Sequence, residues 1–523
     1  MFKKIDMLHC EGSELVNDKG KRIILRGTNL GGWLLREGWM DTGAFEIPVS
    51  IKDTRHLEEC TIYDFGEVKR FNRIKIVSQT DERIKLHSSN DGITWDEICT
   101  VNLNEPERCP FPEGKPVPYD ISGKTYNFGT YLYDGKICFN EVRSRFVKLE
   151  CESSNEISAI MRYGDVDEFI SRKILEERFG KQKMEELLTI YKKAYISDED
   201  LEEIKKIGFN LVRIPIYWQE IMNSDGSIKE SAFSELDWLI EKCREKEIYV
   251  MLDYHGAPGG HTSGSITCGQ LDFNEFWNKE EYQDMSCRII KALVNRYKDE
   301  PTIAAFDLLN EPAVDIYDSS DKYIVDGNDE HLISGEVHLC DDVRIQIQTV
   351  YQKLYDAARS TGDMHILSVQ PFIDNDLLGN PEERGWEQVI YQIHCYASNW
   401  RDHDEVERSV DSYIAIIKKY QNKWKVPVLI GEFCFWEFLD VWEYWLDGLE
   451  IMGVSWSNWN YKNIDPNIQD NWACRYHFKG EFADLLKDSY ETICYKWGQY
   501  SSNNYETNVN LMGLLSKKAR AGS

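Results

Sequence analysis

Two glutamates stand where a pair of carboxyl groups could do acid/base and nucleophilic work. Glu311 ends the apolar run Phe306-Asp307-Leu308-Leu309-Asn310-Glu311, which Pro312 stops, and Glu432 follows a second such run, Val428-Leu429-Ile430-Gly431. The ordinary fate of a glutamate is a solvated loop, but a charge placed directly after a buried strand costs solvation unless something uses it. Breaking an acetal bond between sugars with retained configuration needs such a pair. One carboxylic acid protonates the leaving oxygen, and one carboxylate attacks the anomeric carbon. If both runs are strands of one parallel barrel, both glutamates lie at carboxyl-terminal strand ends and face a common pocket.

The elements that must hold them follow a repeating rhythm. Short apolar strand candidates are Ile23 to Arg26, Leu211 to Ile214, Ile248 to Leu252, Ile303 to Leu309, His365 to Val369, Val389 to His394, Val428 to Ile430 and Gly453 to Trp459. Eight is the number of a closed (β/α)8 barrel. Amphipathic stretches lie between most of them: Asp198 to Ile207, Ser231 to Lys246, Glu281 to Tyr297, Val343 to Ser360 and Val410 to Tyr420. Glu14 to Gly20 reads as a hairpin turn that plugs the barrel's bottom. The rhythm breaks once, where more than 180 residues separate the first two strands. There the pattern turns to strand-like alternation, as in Arg73-Ile74-Lys75-Ile76-Val77, with five of the 14 prolines between Pro106 and Pro118. The expected organisation is an α/β (β/α)8 TIM barrel over residues 1–47 and 163–523, with an all-β sandwich domain, 48–162, inserted in the first βα loop. That loop opens on the face where barrels keep their active sites.

Composition narrows the partners. With 61 basic and 90 acidic residues the net charge is −29, which repels phosphate backbones and anionic membranes and leaves a neutral glycan easy to accommodate. Nucleic acid and membrane are therefore not expected as partners, and no stretch approaches the roughly 20 apolar residues of a membrane span. Fourteen cysteines form no C-x-x-C pair and no metal-ligand spacing, so they read as free thiols in a reducing compartment. Met1-Phe2-Lys3-Lys4-Ile5-Asp6 leads into no apolar run, so a cytoplasmic location is expected; a trimmed leader would leave the same sequence.

Several segments in the right order resemble glycoside hydrolase family 5, and within it the fungal-type exo-β-1,3-glucanase branch. They are Arg26-Gly27-Thr28-Asn29-Leu30-Gly31-Gly32-Trp33-Leu34 with Glu37-Gly38-Trp39, Gly208 to Pro215, Asp253 to Gly259, Leu309 to Pro312, His394-Cys395-Tyr396 and Gly431-Glu432-Phe433. The resemblance covers roughly residues 14 to 46 and 163 to 500. It implies a retaining β-glycosidase without metal or cofactor, acting on a β-linked glucan or oligosaccharide, with Glu311 as acid/base and Glu432 as nucleophile. It further implies that Arg213 and Tyr396 hydrogen-bond the nucleophile, with the cation lowering its pKa. Burial and the charge of Glu432 would keep Glu311 protonated at the start of the cycle. Asn310 would bind the sugar 2-hydroxyl, His255 other hydroxyls, and His394 would orient the acid/base side.

In Ser455 to Lys462 one tryptophan should form the apolar floor under the sugar; Trp459 matches the family's ending better than Trp456. Glu37 matches a glutamate that binds outer hydroxyls of a terminal glucose, which favours exo action. The loop Gly259 to Gly269 departs from the branch's pattern. An internal cut in β-glucan, other β-glucosides, or a non-catalytic glycan-binding barrel remain alternatives. The acidic stretch Asp315 to Asp342 is long for a βα loop and expected to overhang the site; Asp326 to Glu330 lacks EF-hand spacing and reads as solvated rather than as a calcium site. In the insertion, Phe71 to Val77, Ser89 to Trp95 and Arg145 to Leu149 are similar to the discoidin-like, galactose-binding-like β-sandwich. That resemblance implies either sugar binding or a wall beside the site. Oligomeric state is not read from the sequence.

Overall fold

The computed structural model describes residues 5–37, 44–58, 60–77, 83–104, 130–133, 135–151, 156–165, 167–262, 268–269, 275–314, 323–325, 337–372, 374–397, 402–463 and 472–521. The chain divides into two compact units, Met1–Thr42 with Asp167–Ser523, and Gly43–Val166.

The larger unit is built on eight parallel strands. They are β1 (Arg26–Asn29), β2 (Leu211–Tyr217), β3 (Tyr249–Gly256), β4 (Ile303–Asp307), β5 (Ile366–Val369), β6 (Val389–Cys395), β7 (Val428–Phe433) and β8 (Ser455–Asn458), and they close in sequence order with β8 beside β1. Most of their residues are buried on both faces because side chains alternate between the barrel interior and the surrounding helices. Closure between β1 and β2 depends on Gly27, where a Cβ would lie 2.1 Å from the Leu211 carbonyl oxygen.

Seven connections carry an α-helix: α1 (Asp198–Ile207), α2 (Ser234–Glu245), α3 (Glu280–Tyr297), α4 (Asp341–Arg359), α5 (His403–Lys419), α6 (Leu439–Met452) and, after β8, α7 (Val509–Arg520). The β5–β6 connection holds only the 3₁₀ turn Pro381–Arg384 among its described residues. Helix α1 starts where Ser197 and Asp200 form a reciprocal capping box and ends at Gly208 in the left-handed conformation. Helix α5 begins at His403, capped by Asp402, seven residues before the expected Val410, because its first seven residues hold a single apolar side chain, Val406.

Strand β1 begins at Arg26, where the sequence reading ended it. The Ile23 region instead leads out of an N-terminal hairpin, Leu8–Glu11 paired with Glu14–Asn17. Leu8, Leu15 and Leu25 pack with Leu211, Met251, Ala304, Ile366, Ile390 and Leu429, so the hairpin stoppers the barrel at the end opposite the carboxyl-terminal strand ends. The segment after β4 carries a small hairpin, Tyr323–Val325 with Val337–Leu339. Asp326 to Glu330, weighed above for calcium, lie outside the described residues, as do Gly38, Trp39 and Ser263 to Thr267.

The smaller unit contains strands and no helix among its described residues. Its backbone network runs in the order Ala44–Pro48, Glu156–Asp165, Cys60–Val77, Lys136–Glu150, Arg83–Ser89, Asp96–Asn102, with Asp53–His56 and Tyr131–Tyr133 paired at the side. All pairings are antiparallel, and bulges interrupt the long central pair. Phe71, Ile74, Ile84, Leu86, Ile137, Val147 and Leu149 form the centre of its own apolar core.

Candidate active site

Glu311 and Glu432 converge. His394 Nδ1, at the end of β6, lies 2.5 Å from Glu311 Oε1 and 3.5 Å from Glu432 Oε2. The nearest ligand atoms of the three residues are all within 4.8 Å of one another. Glu311 sits just past β4 with φ of +41°, an uncommon conformation for a side-chain-bearing residue, and its N–H donates to Gln370 Oε1 at 2.9 Å. Glu432 is inside β7, after Gly431, where a Cβ would meet Gln392 Oε1 at 2.1 Å.

Arg213 links the strand ends. Its Nη1 donates to Glu432 Oε1 at 2.7 Å and to Asn29 Oδ1 at 3.0 Å; its Nη2 donates to Asn310 Oδ1 at 2.8 Å and Asp307 Oδ2 at 3.0 Å, and lies 3.1 Å from Asp253 Oδ2. The Tyr396 hydroxyl donates to the other Glu432 oxygen at 3.0 Å. The expected lowering of the Glu432 pKa is not what the site produces. Burial is the largest influence and, with Glu311 nearby, outweighs Arg213, so the carboxyl is raised. One guanidinium is shared among Glu432, Asp253 and Asp307, which leaves too little positive charge to offset full desolvation. Burial likewise dominates at His394 and drops it to about 3, leaving the imidazole neutral at ordinary pH. A neutral ring can either donate Nδ1–H to an ionised Glu311 or accept a hydrogen bond from its protonated form, which suits a carboxyl that must give and regain a proton.

A second charged line runs beneath the pocket. His255 Nδ1 is 2.6 Å from Asp253 Oδ2, and Nε2 is 2.8 Å from Glu37 Oε1. Burial opposes the imidazolium, but these two carboxylates outweigh it and hold His255 well above its usual pKa. The Asn310 amide nitrogen lies 3.1 Å from the same His255 Nε2. The Trp459 ring stacks near His255, centroids 5.9 Å apart at 23°. Gly31 permits this, since a Cβ there would come 2.8 Å from the Trp459 ring. Trp456 turns away and packs between Phe209 and Phe433, so of the two tryptophans only Trp459 reaches the site.

All nine residues named from the sequence thus gather at one end of the barrel. Five others hold them and were not singled out: Asn29, Asp253, Asp307, Gln370 and Gln392. A usable signal existed, because Asp253 precedes His255 by two and Gln392 precedes His394 by two. That spacing puts each pair on the same inward face of its strand. His261 was also missed; its Nε2–H donates to the Asn310 carbonyl at 2.6 Å, and burial, despite that bond, drops it to about 3. Glu311, His394 and Glu432 are within mutual reach of one cation. Both Glu432 oxygens, however, already accept from Arg213 and Tyr396, so the donor set is directed at hydrogen bonds.

The chain is similar to several known proteins. Two curated relatives are "Beta-xylosidase" of Phanerodontia chrysosporium, 26% identical over 240 residues (44% of this chain, 44% of the relative), and "Glucan 1,3-beta-glucosidase 2" of Candida albicans, 24% identical over 272 residues (49% and 54%). The chain spans about half the length of the curated relatives it matches. Among solved structures, endo-glycoceramidase II from Rhodococcus sp. aligns at 18% identity and a TM-score of 0.41, over 52% of this chain and 70% of that one. Residues 176–465, more than half of the chain, match the family described as Cellulase (glycosyl hydrolase family 5). They hold Arg213, His255, Asn310, Glu311, His394, Tyr396, Glu432 and Trp459, and on that match the chain belongs to glycosyl hydrolase family 5.

Proposed function

We propose that the protein is a retaining, exo-acting β-glycosidase, most suited to β-1,3-linked glucose, with Glu432 as nucleophile and Glu311 as acid/base. The observation that carries this reading is the carboxylate spacing. One oxygen each of Glu311 and Glu432 within 4.8 Å of the other fits the short separation of a retaining pair, about 5 to 5.5 Å, better than that of an inverting one, about 6.5 to 9.5 Å. Tyr396 and Arg213 aim Glu432, Asn310 offers N–H groups to the 2-hydroxyl, and Trp459 supplies an apolar face for the ring. Glu37, drawn in by His255, would bind outer hydroxyls of a chain end. The relative named as a β-xylosidase supports testing xylosides beside glucosides.

For the insertion, we propose a discoidin-like sandwich acting as a structural module. Asp91 accepts from Ile93 and Thr94 N–H and from the Ser89 hydroxyl, while Trp95 lies under Lys148 Nζ at 5.0 Å, so hairpin geometry and packing already account for both residues. A reducing compartment suits the buried thiols at Cys243 and Cys395.

The test incubates the protein with aryl β-glucosides, aryl β-xylosides and laminari-oligosaccharides and follows the first anomer released. Glucose of retained configuration, freed from chain ends, is expected. Mixed oligosaccharides would replace the exo reading with an internal cut, and inverted product would reject the mechanism. Glu432→Gln should fold normally and lose turnover by at least about 10⁴-fold; residual activity near the wild type would reassign the nucleophile.

A further inference from the structure

One acidic side chain at the floor of the site has no part in the chemistry just assigned, yet three of the site's donors end on it. Asp307, the last residue of β4, is buried, and its Oδ2 accepts N–H groups from Arg213 at 3.0 Å, Gln370 at 3.1 Å and Gln392 at 2.5 Å. Each donor reaches onward to one of the two glutamates. Arg213 donates to Glu432 itself at 2.7 Å. Gln392 fills the space over Gly431, the residue before Glu432, where a Cβ would come within 2.1 Å of its Oε1. Gln370 turns its own oxygen to the Glu311 N–H at 2.9 Å, at a residue whose left-handed backbone has to be held by its surroundings.

Resting on the glycosidase reading above, we propose that Asp307 is a positioning residue whose single oxygen sets the spacing of the two carboxyl-bearing segments: Glu311 through Gln370, and Glu432 through Arg213 and Gln392. The logic is that of a shared anchor. Charge-assisted hydrogen bonds are stronger and shorter than neutral ones, and an oxygen receiving three of them fixes three side chains relative to one another. Both glutamates thereby inherit a common reference point below the sugar, on rigid strands rather than on the loops above.

The two branches predict different kinetic signatures. Displacing Glu311 weakens proton donation, which matters most when the leaving group is a poor one. Displacing Glu432 weakens attack on the anomeric carbon, which matters for every leaving group. The experiment measures kcat/KM for a series of aryl β-glucosides, from phenyl to dinitrophenyl, with the full-length wild type, Asp307→Asn, Gln370→Met and Gln392→Met, alongside thermal unfolding of each. Asp307→Asn keeps the shape and removes the charge; kcat/KM should fall by about 10- to 100-fold on the most reactive aryl glucoside. Its loss should grow toward poor leaving groups. Gln370→Met should reproduce only that growing component, and Gln392→Met only the uniform one. If either methionine variant fails to fold, the isosteric Asp307→Asn carries the test through its leaving-group slope. An active wild type with Asp307→Asn indistinguishable from it, or variants that all lose the same factor for every leaving group, would overturn the anchor. A wild type inactive on every aryl glycoside would overturn the glycosidase reading itself.

Discussion

Arg213 shows how a buried cation is made tolerable and what that costs its neighbours. Burial disfavours its charge, and Asp253, Glu432 and Asp307 outweigh burial and hold it protonated. Because the charge is divided, burial and the Asp253 carboxylate push Asp307 up to about 6, and Glu432 is raised as well. The acidic limb of kcat/KM should therefore lie above the range of an unperturbed carboxylate, and a limb at the ordinary glutamate value would contradict the raised Glu432. His394 makes a separate prediction about stability. Its folded pKa of about 3 lies below the ordinary 6.5, so as pH falls through that window the unfolded ring takes a proton that the folded ring refuses. Stability attributable to it is intact above pH 6.5 and is lost on acidification, by on the order of 5 kcal/mol if fully developed. Urea midpoints measured between pH 7 and 4 should decline less steeply in His394→Gln than in the wild type; parallel declines would remove His394 as the cause. At this scale the sequence was most legible where a polar residue interrupts an apolar strand, as at Arg213 and His394. It was least legible at Asn29 and Gln370, whose partners lie hundreds or tens of residues away and become visible only once the barrel has closed.

Among elements, the strands were legible because a doubly buried parallel strand is an unbroken apolar run, which also marks where it ends. Helix α1, whose capping box marks its start, and helix α3 begin within a residue of expectation. Helix α5 and strand β1 do not, since Val406 is the one apolar residue in the first seven of α5 and the apolar exit from the hairpin imitates the start of β1. Close approach between elements depends on glycines whose value is steric. Gly27→Ala would drive a Cβ into the Leu211 carbonyl, a backbone atom that cannot step aside, and should destabilise the protein by about 3 kcal/mol in denaturant unfolding. Gly431→Ala meets instead the end of a flexible side chain, Gln392, so its cost in stability should be smaller, about 1–2 kcal/mol, while activity falls because Glu432 is displaced. Equal unfolding midpoints for the two variants would argue against this distinction between backbone and side-chain neighbours.

For the molecule as a whole, the sequence disclosed two units because hydrophobic periodicity changes from helical spacing to alternation. It did not disclose that the antiparallel strands of the smaller unit form one connected network. That depends on which strands pair, and pairing is not written in any single strand. Each unit has its own apolar core, so calorimetry should resolve two unfolding transitions rather than one. A single transition would mean that the units melt cooperatively.

The first and last strands of the smaller unit are partners in the same ladder, with Ala44 opposite Asp165 and Pro48 opposite Met161. More than a hundred residues therefore leave and return at nearly the same point. To the growing barrel such a clasped excursion behaves like a short bridge. If it folds first, the tether between β1 and β2 shrinks to roughly a third of its contour, and the entropic toll of bringing them together drops by about 1 kcal/mol. The same arithmetic makes the excursion removable. A chain in which residues 44–165 give way to a few glycines and serines should still close its eight strands and still bring Glu311 to Glu432.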